Sequence, residues 1–322
     1  MKQKILKMIF RLSVVAIMSI SYLPIIANDG AAEVALGGII LKKEARISME
    51  KERLTIALNK VTVEYEFLND TDKDITTLVA FPIPDCSLWV GDGYKRINDF
   101  KLWINNIPTQ YHTENRAILN EIDYTKLLVQ MGIPADSFED NQLFNKLPAD
   151  NKKLLIEKGL LKSDKDDVYA AWLLRRTYYW EQKFPAGQIV SIRHEYTPAI
   201  GLTTMGLEST IKEDQDIFKS GCLPQNIVKK LDSRPKNVIS NFRSAWVKYI
   251  LKTANTWKTP IKDFELLVEI SPQPEVFASK QIPQFASFCW NGTVEKLGGN
   301  RLRARVKNFV PKTDLTVYYF FY

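Results

Sequence analysis

KVTVEYEFLNDTDKDITTLVAFPIP, residues 60–84, is the stretch that decides the fold. Val61, Val63, Tyr65 and Phe67 fall on one face of an extended chain while Thr62, Glu64 and Glu66 fall on the other. A period of two marks a half-buried strand. Residues 69–74 form a polar turn, and 75–81 return as a second strand with apolar side chains at consecutive positions from Leu78 to Phe81. That run is expected where both faces are covered. Pro82 and Pro84 end it, because neither donates to a ladder.

Towards the N-terminus come short β-type pieces at 36–41, 46–49 and 54–58. Before them, Lys2, Lys4, Lys7 and Arg11 precede an apolar run at 12–26 that is interrupted by serines, Tyr22 and Pro24 and followed by Ala27. Basic, then apolar, then small is the order of a secretory signal peptide. The run is shorter than the roughly 20 apolar residues of a membrane anchor, so cleavage is expected between Ala27 and Asn28. The absence of a cysteine after it argues against a lipoprotein. No transmembrane segment is expected in the mature chain.

Taking 27 residues from 322 leaves 295, enough for one large domain or two ordinary ones. Removing four basic residues from 44 leaves 40 against 37 acidic ones, a net charge of +3 rather than +7. A nucleic-acid binder carries a strongly basic domain, so nucleic acid is excluded as a partner. Hydrophobic content of 45% and charged content of 25% are ordinary globular values and exclude disorder as the main state. Cys86, Cys222 and Cys289 give an odd count in an oxidising compartment, which suits one disulfide and one thiol. Cys222 with Cys289 is the expected pair because both lie in the C-terminal half; three unpaired buried thiols are the alternative.

Towards the C-terminus, Phe100, Leu102 and Ile104 alternate with Lys101, Trp103 and Asn105, and Asn105-Asn106 suits a hairpin turn into 107–112. From 113 to 174 a helical insertion of three or four short helices is expected. Tyr124, Leu127, Leu128 and Met131 make one stripe, with Gly132 and Pro134 ending it. Asp136 or Ser137 caps a second helix, Asp150 a third that stops at Gly159, and Asp166 or Asp167 opens a last one through Trp172. Strands resume at Arg175, and Phe184-Pro185-Ala186-Gly187 fits a type I turn between two strands of a second hairpin. Beyond Gly201, residues 246–251, 264–270, 302–307 and 315–322 read as strands, with turns at Asn291-Gly292 and Gly298-Gly299-Asn300.

The fold class is therefore mainly β, α+β overall. It comprises an antiparallel β-sandwich at 28–201 with a helical insertion at about 113–174, then a smaller C-terminal β-rich region at 202–322.

Five blocks carry a likeness. NDGAAEVALGGIILKK (28–43), TTLVAFPIPD (76–85), FPAGQIVSIRHEYTPAIG (184–201), YILKTANTWKTPIKDFELLVE (249–269) and NFVPKTDLTV (308–317) resemble the secreted bacterial family catalogued as domain of unknown function 4424. The resemblance spans nearly the whole mature chain. It implies a signal peptide and a Gram-negative envelope location, supplies no catalytic residue, and matches cysteine-bearing stretches to Cys222 and Cys289. The N-terminal half also resembles the vault and inter-alpha-trypsin β-sandwich domain through 67–69, 81–84, 185–187 and Tyr196. That likeness implies a sandwich. The metal-dependent adhesion motif D-x-S-x-S is absent, and the helical segment is longer than in that pattern.

His112 and His194 are the only histidines, and no H-E-x-x-H, C-x-x-C, EF-hand, G-x-S-x-G or P-loop spacing occurs. No cofactor or metal is expected. His194 and Glu195 are adjacent on a strand and so point to opposite faces. Cys86 lacks an evident cationic neighbour to activate it. Arg175, Arg176, Tyr178, Tyr179 and Trp180 make a cationic and aromatic cluster at the helix-to-strand junction. Arg175, Arg176, Tyr179 and Trp180 are the candidate binding surface for glycan or protein, weighed against Tyr178 and Trp180 being core. Arg301, Arg303, Arg305 and Lys307 give one strand a basic face, either for anionic polymer or as a solvated face. LTVYYFFY at 315–322 suits a buried closing strand better than a membrane barrel.

The expected function is binding within the cell envelope, to another envelope protein or a cell-wall glycan. The alternative is an envelope hydrolase using paired carboxylates such as Asp85, Asp92 or Glu195.

Overall fold

The computed structural model describes residues 29–35, 38–86, 98–138, 140–164, 167–203, 221–223, 229, 233, 242–270 and 283–321. In chain order these form strands β1 (Gly30–Ala35), β2 (Gly38–Leu41), β3 (Ile47–Ile56), β4 (Val61–Asn69), β5 (Ile75–Pro82), β6 (Asn98–Ile104), β7 (Ile107–Pro108), β8 (His112–Leu119) and β9 (Ile122–Asp123). Helices α1 (Thr125–Gln130), α2 (Asn141–Asn145) and α3 (Ala149–Glu157) follow. The rest is β10 (Leu161–Asp164), β11 (Asp167–Ala170), β12 (Leu173–Phe184), β13 (Ile189–Thr197), β14 (Ile200–Thr203), β15 (Arg243–Tyr249), β16 (Ile261–Glu269), β17 (Phe285–Ser287), β18 (Val294–Leu297), β19 (Arg301–Phe309) and β20 (Leu315–Phe321).

β4 alternates as its sequence dictates, with Val61, Val63, Tyr65 and Phe67 buried. It does not pair with β5. β4 lies in an eight-stranded sheet of order β18-β19-β16-β3-β4-β13-β6-β7, and β5 in a six-stranded sheet of order β2-β1-β5-β12-β8-β9. β12 and β13, expected as a hairpin, part in the same way: β12 pairs with β5 and β13 with β4. The two polar turns are thus corners between layers, stacked on one another. Asn69 pins them, donating through Nδ2 to Lys73 O and Phe184 O at 2.8 Å each, while Gly187 N donates to Asn69 O at 2.8 Å.

A third sheet, β14-β15-β20-β17, shares the core with both layers. One cluster of buried residues draws on all three, including Val79 and Trp180 from the six-stranded sheet, Phe67 and Phe264 from the eight-stranded one, and Val317 and Tyr319 from the four-stranded one. β16 enters the large sheet parallel to β3, so strands from either side of Gly201 share that sheet. Gly201 itself opposes Trp246, and a Cβ on it would lie 2.0 Å from the indole Cε2. Gly201→Ala should therefore cost about 2 kcal/mol and lower the thermal midpoint by roughly 4–8 °C. Trp246→Ala should remove most of that penalty when combined with it; calorimetric unfolding of the single and double variants tests this.

The helical insertion is narrower than expected. Among the described residues of this block helices occupy only α1 to α3, while 112–119 is strand β8, paired with β12 from Ile118↔Leu173 to His112↔Tyr179. The stretch through Val168 is strand β11 in a hairpin with β10. Ladder pairing outweighs a weak helical period there. The α2 cap is Asp140, whose Oδ1 accepts from Leu143 N at 2.9 Å, in place of Asp136 or Ser137. Gly132 and Gly159 do end their helices, at φ +71° and +72°. A second buried cluster holds this block to β12 through Leu128, Phe144, Leu155, Trp172 and Leu174. Asn105 and Asn106, both at positive φ, turn β6 into β7.

Candidate functional site

The alternation of β13 turns His194 inward and Glu195 outward. His194 is fully buried, its ring packed against both Phe81 and Phe100 with centroids 4.9 and 5.2 Å away, and its Nε2 lies 2.9 Å from Oδ1 of the equally buried Asp29. Trp257 Nε1 donates to Asp29 O at 2.6 Å, and Asp29 N to Tyr65 Oη at 3.4 Å. Tyr65 and Tyr249 share a hydroxyl hydrogen bond of 2.9 Å beside buried Glu52. Burial pushes the Asp29 carboxyl up, against the pull of His194. This is a polar network inside the core, with Asp29 and His194 both at 0% exposure. Glu195 instead meets Lys60 at 3.1 Å and Arg193 at 3.4 Å on the outer face.

The junction residues do not form one surface. Trp180, 3% exposed, and Tyr178 are core, and Tyr178 stacks on Phe100 at 4.0 Å. Trp180 is therefore withdrawn from the expected surface, because strand alternation sends it inward. Arg175 grips Asp85 in a bidentate pair, with Nε–Oδ1 3.1 Å and Nη2–Oδ2 2.8 Å. Arg176 donates to Asn115 Oδ1 at 2.8 Å and reaches Asp136 at 3.3 Å, tying β12 to β8 and to the connection between α1 and α2. Tyr179 is half-buried and stacks on His112 at 5.3 Å.

The basic row on β19 is answered by acids on its neighbours. Arg303 meets Glu295 at 2.6 Å, Lys307 meets Asp263 at 3.1 Å, and Arg305 pairs with Glu265. An alternating ion-pair face holds little uncompensated charge for a polyanion.

Cys222 and Cys289 form a disulfide, with Cα atoms 4.8 Å apart. Cys86 lies outside this disulfide, and its backbone bridges to Leu174 through paired hydrogen bonds of 3.0 and 2.7 Å.

Among the described residues a shallow cleft of about 410 Å³ runs along α3 between Leu147 and Glu157, and two others carry aromatic and mixed polar linings. On the outer face of the large sheet, about 320 Å³ is bounded by Lys51, Arg53, Glu64, Glu66, Trp103 and Arg193. Arg193 already covers a face of Trp103 at 4.0 Å. Glu64 and Glu66 share that cleft, yet Lys51 pairs with Glu66, and Arg53 and Arg193 flank Glu64 in register. The second cleft, about 350 Å³, lies beside the disulfide and is lined by Trp290, Asn291, Asn308, Phe309, Val310 and Lys312 among others. Sequence reasoning missed it, since segments from 251, 289–291 and 306–315 meet only through the fold. A smaller gap of about 20 Å³ adjoins Pro84, Asp85 and Trp246. Among the described residues no three His, Cys, Asp or Glu side chains are grouped to hold a metal ion. No helix there is long and apolar enough to cross a membrane.

Fold and clefts define a mainly β, disulfide-bonded sandwich protein with open surface clefts and its histidine–carboxylate pair locked in the core. The chain belongs to the family described as domain of unknown function DUF4424, whose model matches residues 27–318. No curated protein matches it. A solved structure from Legionella pneumophila subsp. pneumophila str. Philadelphia 1, provisionally described as a nutrient binding protein, is similar at 16% identity and a TM-score of 0.42. The alignment covers 91% of this chain and 73% of that one. That likeness is too loose to carry a ligand across. None of these matches bears on the vault and inter-alpha-trypsin likeness.

Proposed function

We propose that the chain is a non-catalytic binding module of the cell envelope, reaching the periplasm by its N-terminal signal and taking another envelope protein or a cell-wall glycan. The observation that carries this reading is the sealing of His194 and Asp29 at 0% exposure, while the open clefts present aromatic and mixed polar side chains. The disulfide is compatible with an oxidising compartment. A hydrolase reading has less support. Asp85 is held by Arg175 and Glu195 by Lys60 and Arg193, and Asp92 lies outside the described residues. Glu64 and Glu66 face cations, where the general acid of a glycosidase sits against apolar groups.

Crosslinking and pull-down from intact envelopes test the proposal. The expected result is recovery of the chain with an envelope protein or wall fragment. Recovery only as a free monomer under every condition, with purified protein turning over an envelope substrate, overturns it in favour of the hydrolase.

A further inference from the structure

The cleft beside the disulfide is a built feature. Its aromatic wall is Trp290, packed 5.3 Å from Phe309 and 5.7 Å from the fully buried Phe264, and the preceding residue is fixed by the Cys222–Cys289 bond. The opposite wall, the β19–β20 connection, is pinned at two points. Asn255 Nδ2 donates to Pro311 O at 3.0 Å, and Asp314 Oδ1 accepts from Leu251 N at 3.2 Å. Rigid walls lower the ordering cost of binding.

The polar lining is of two kinds. Asp314 is satisfied by those backbone donors and by Lys252 at 3.5 Å. The side chains of Asn291, Asn308, Lys312 and Thr313 have no partner among the described residues. The uncompensated charge of the cleft is therefore the one ammonium of Lys312. About 350 Å³ is at the small end of ligand pockets, which run from roughly 300 to 1,000 Å³. An aromatic face beside carboxamides matches a sugar ring, which offers an apolar C–H face and a rim of hydroxyls. An ammonium at the edge matches a carboxylate.

We propose that this cleft is a saccharide site selective for a sugar that carries a carboxylate. The proposal rests on the binding-module reading and narrows its glycan branch. Calorimetric titration of the purified, disulfide-intact mature chain tests it with N-acetylmuramic acid and trigalacturonate as acidic probes. N-acetylglucosamine and galactotriose are their neutral counterparts. The wild type should bind an acidic probe more tightly than its counterpart; response to one acidic probe alone tells a wall sugar from a polyuronate. Lys312→Gln, at an exposed position, should weaken the acidic sugar about tenfold, the loss of one charge-assisted bond, and leave the neutral one unchanged. Asn308→Gly keeps the backbone at φ +51° while deleting the amide and should weaken both.

No binding of any of the four sugars, equal binding of acidic and neutral sugars, or an unchanged affinity in Lys312→Gln overturns the site. If the envelope pull-down still recovers a partner in those cases, the binding module stands and only this inference falls.

Discussion

Asn69→Leu is expected to destabilise the protein by about 4 kcal/mol, which lowers the thermal midpoint by roughly 8–16 °C. The side chain is fully buried at the meeting of the two corners. Its amide donates to Lys73 O and Phe184 O, and its Oδ1 accepts from Thr71 N at 3.1 Å and Thr71 Oγ1 at 2.7 Å. Leucine leaves the buried Phe184 carbonyl without its donor, at about 1–3 kcal/mol for each orphaned group. It also frees two corners that hold the layers in register. Asn69→Asp keeps the shape and the acceptor and loses only the donors, so it should fail nearly as badly at neutral pH. Asp70→Ala, which removes an exposed pair with Lys258 at 2.6 Å, should leave the transition near that of the wild type. Denaturant or thermal unfolding of the three variants decides it. Two Asn69 variants within about 1 kcal/mol of the wild type would show that the corners are held by something else.

That corner marks the limit of what the sequence discloses. The alternation of 61–67 reports which side chains are buried, and the structure follows it residue by residue. Alternation carries no information about which strand lies alongside. Turns such as 69–74 and 184–187 therefore read as hairpins, when Asn69 instead stitches them into layer crossings. The unbroken apolar run Leu78–Phe81 was the local hint, since β5 is flanked by β1 and β12 and covered by the core. The helical block was overextended for a related reason. The pairing of β8 with β12 joins residues about 60 positions apart, a contact no window around 113 contains. The cysteine pairing was legible because only one thiol lay in the N-terminal half. The clefts were not, because each is made by side chains brought together from distant segments.

Above pH 10 the protein should lose stability steeply, by roughly 5 kcal/mol per pH unit. Tyr65, Tyr196, Tyr249 and Tyr319 are all buried in the common core, and burial pushes each phenol well above its ordinary value. Neighbouring acids push the same way: Glu52 and Asp29 act on Tyr65 and Tyr249, and Glu269 acts on Tyr319. Tyr319 also donates to Ile56 O at 3.0 Å, a bond only the protonated phenol can make. The sign follows from proton counting. Above about pH 10 an unfolded chain gives up these four protons while the native core keeps them, so the unfolded state binds fewer protons and stability falls as pH rises. The contribution is complete below about pH 10 and is lost on the way up to the folded-state values. Because domains of this kind are stable by only about 5–15 kcal/mol, unfolding should come within one to three pH units. Tyrosinate absorbance and circular dichroism followed together against pH should show these phenols ionising in the same cooperative step that destroys the β signal. Tyr196→Phe removes one titration and should lower the slope by about a quarter, near 1.4 kcal/mol per pH unit. Gradual ionisation of all the tyrosines from about pH 10 with the β signal intact would mean that these phenols are hydrated, and that the three sheets do not close around one dry core.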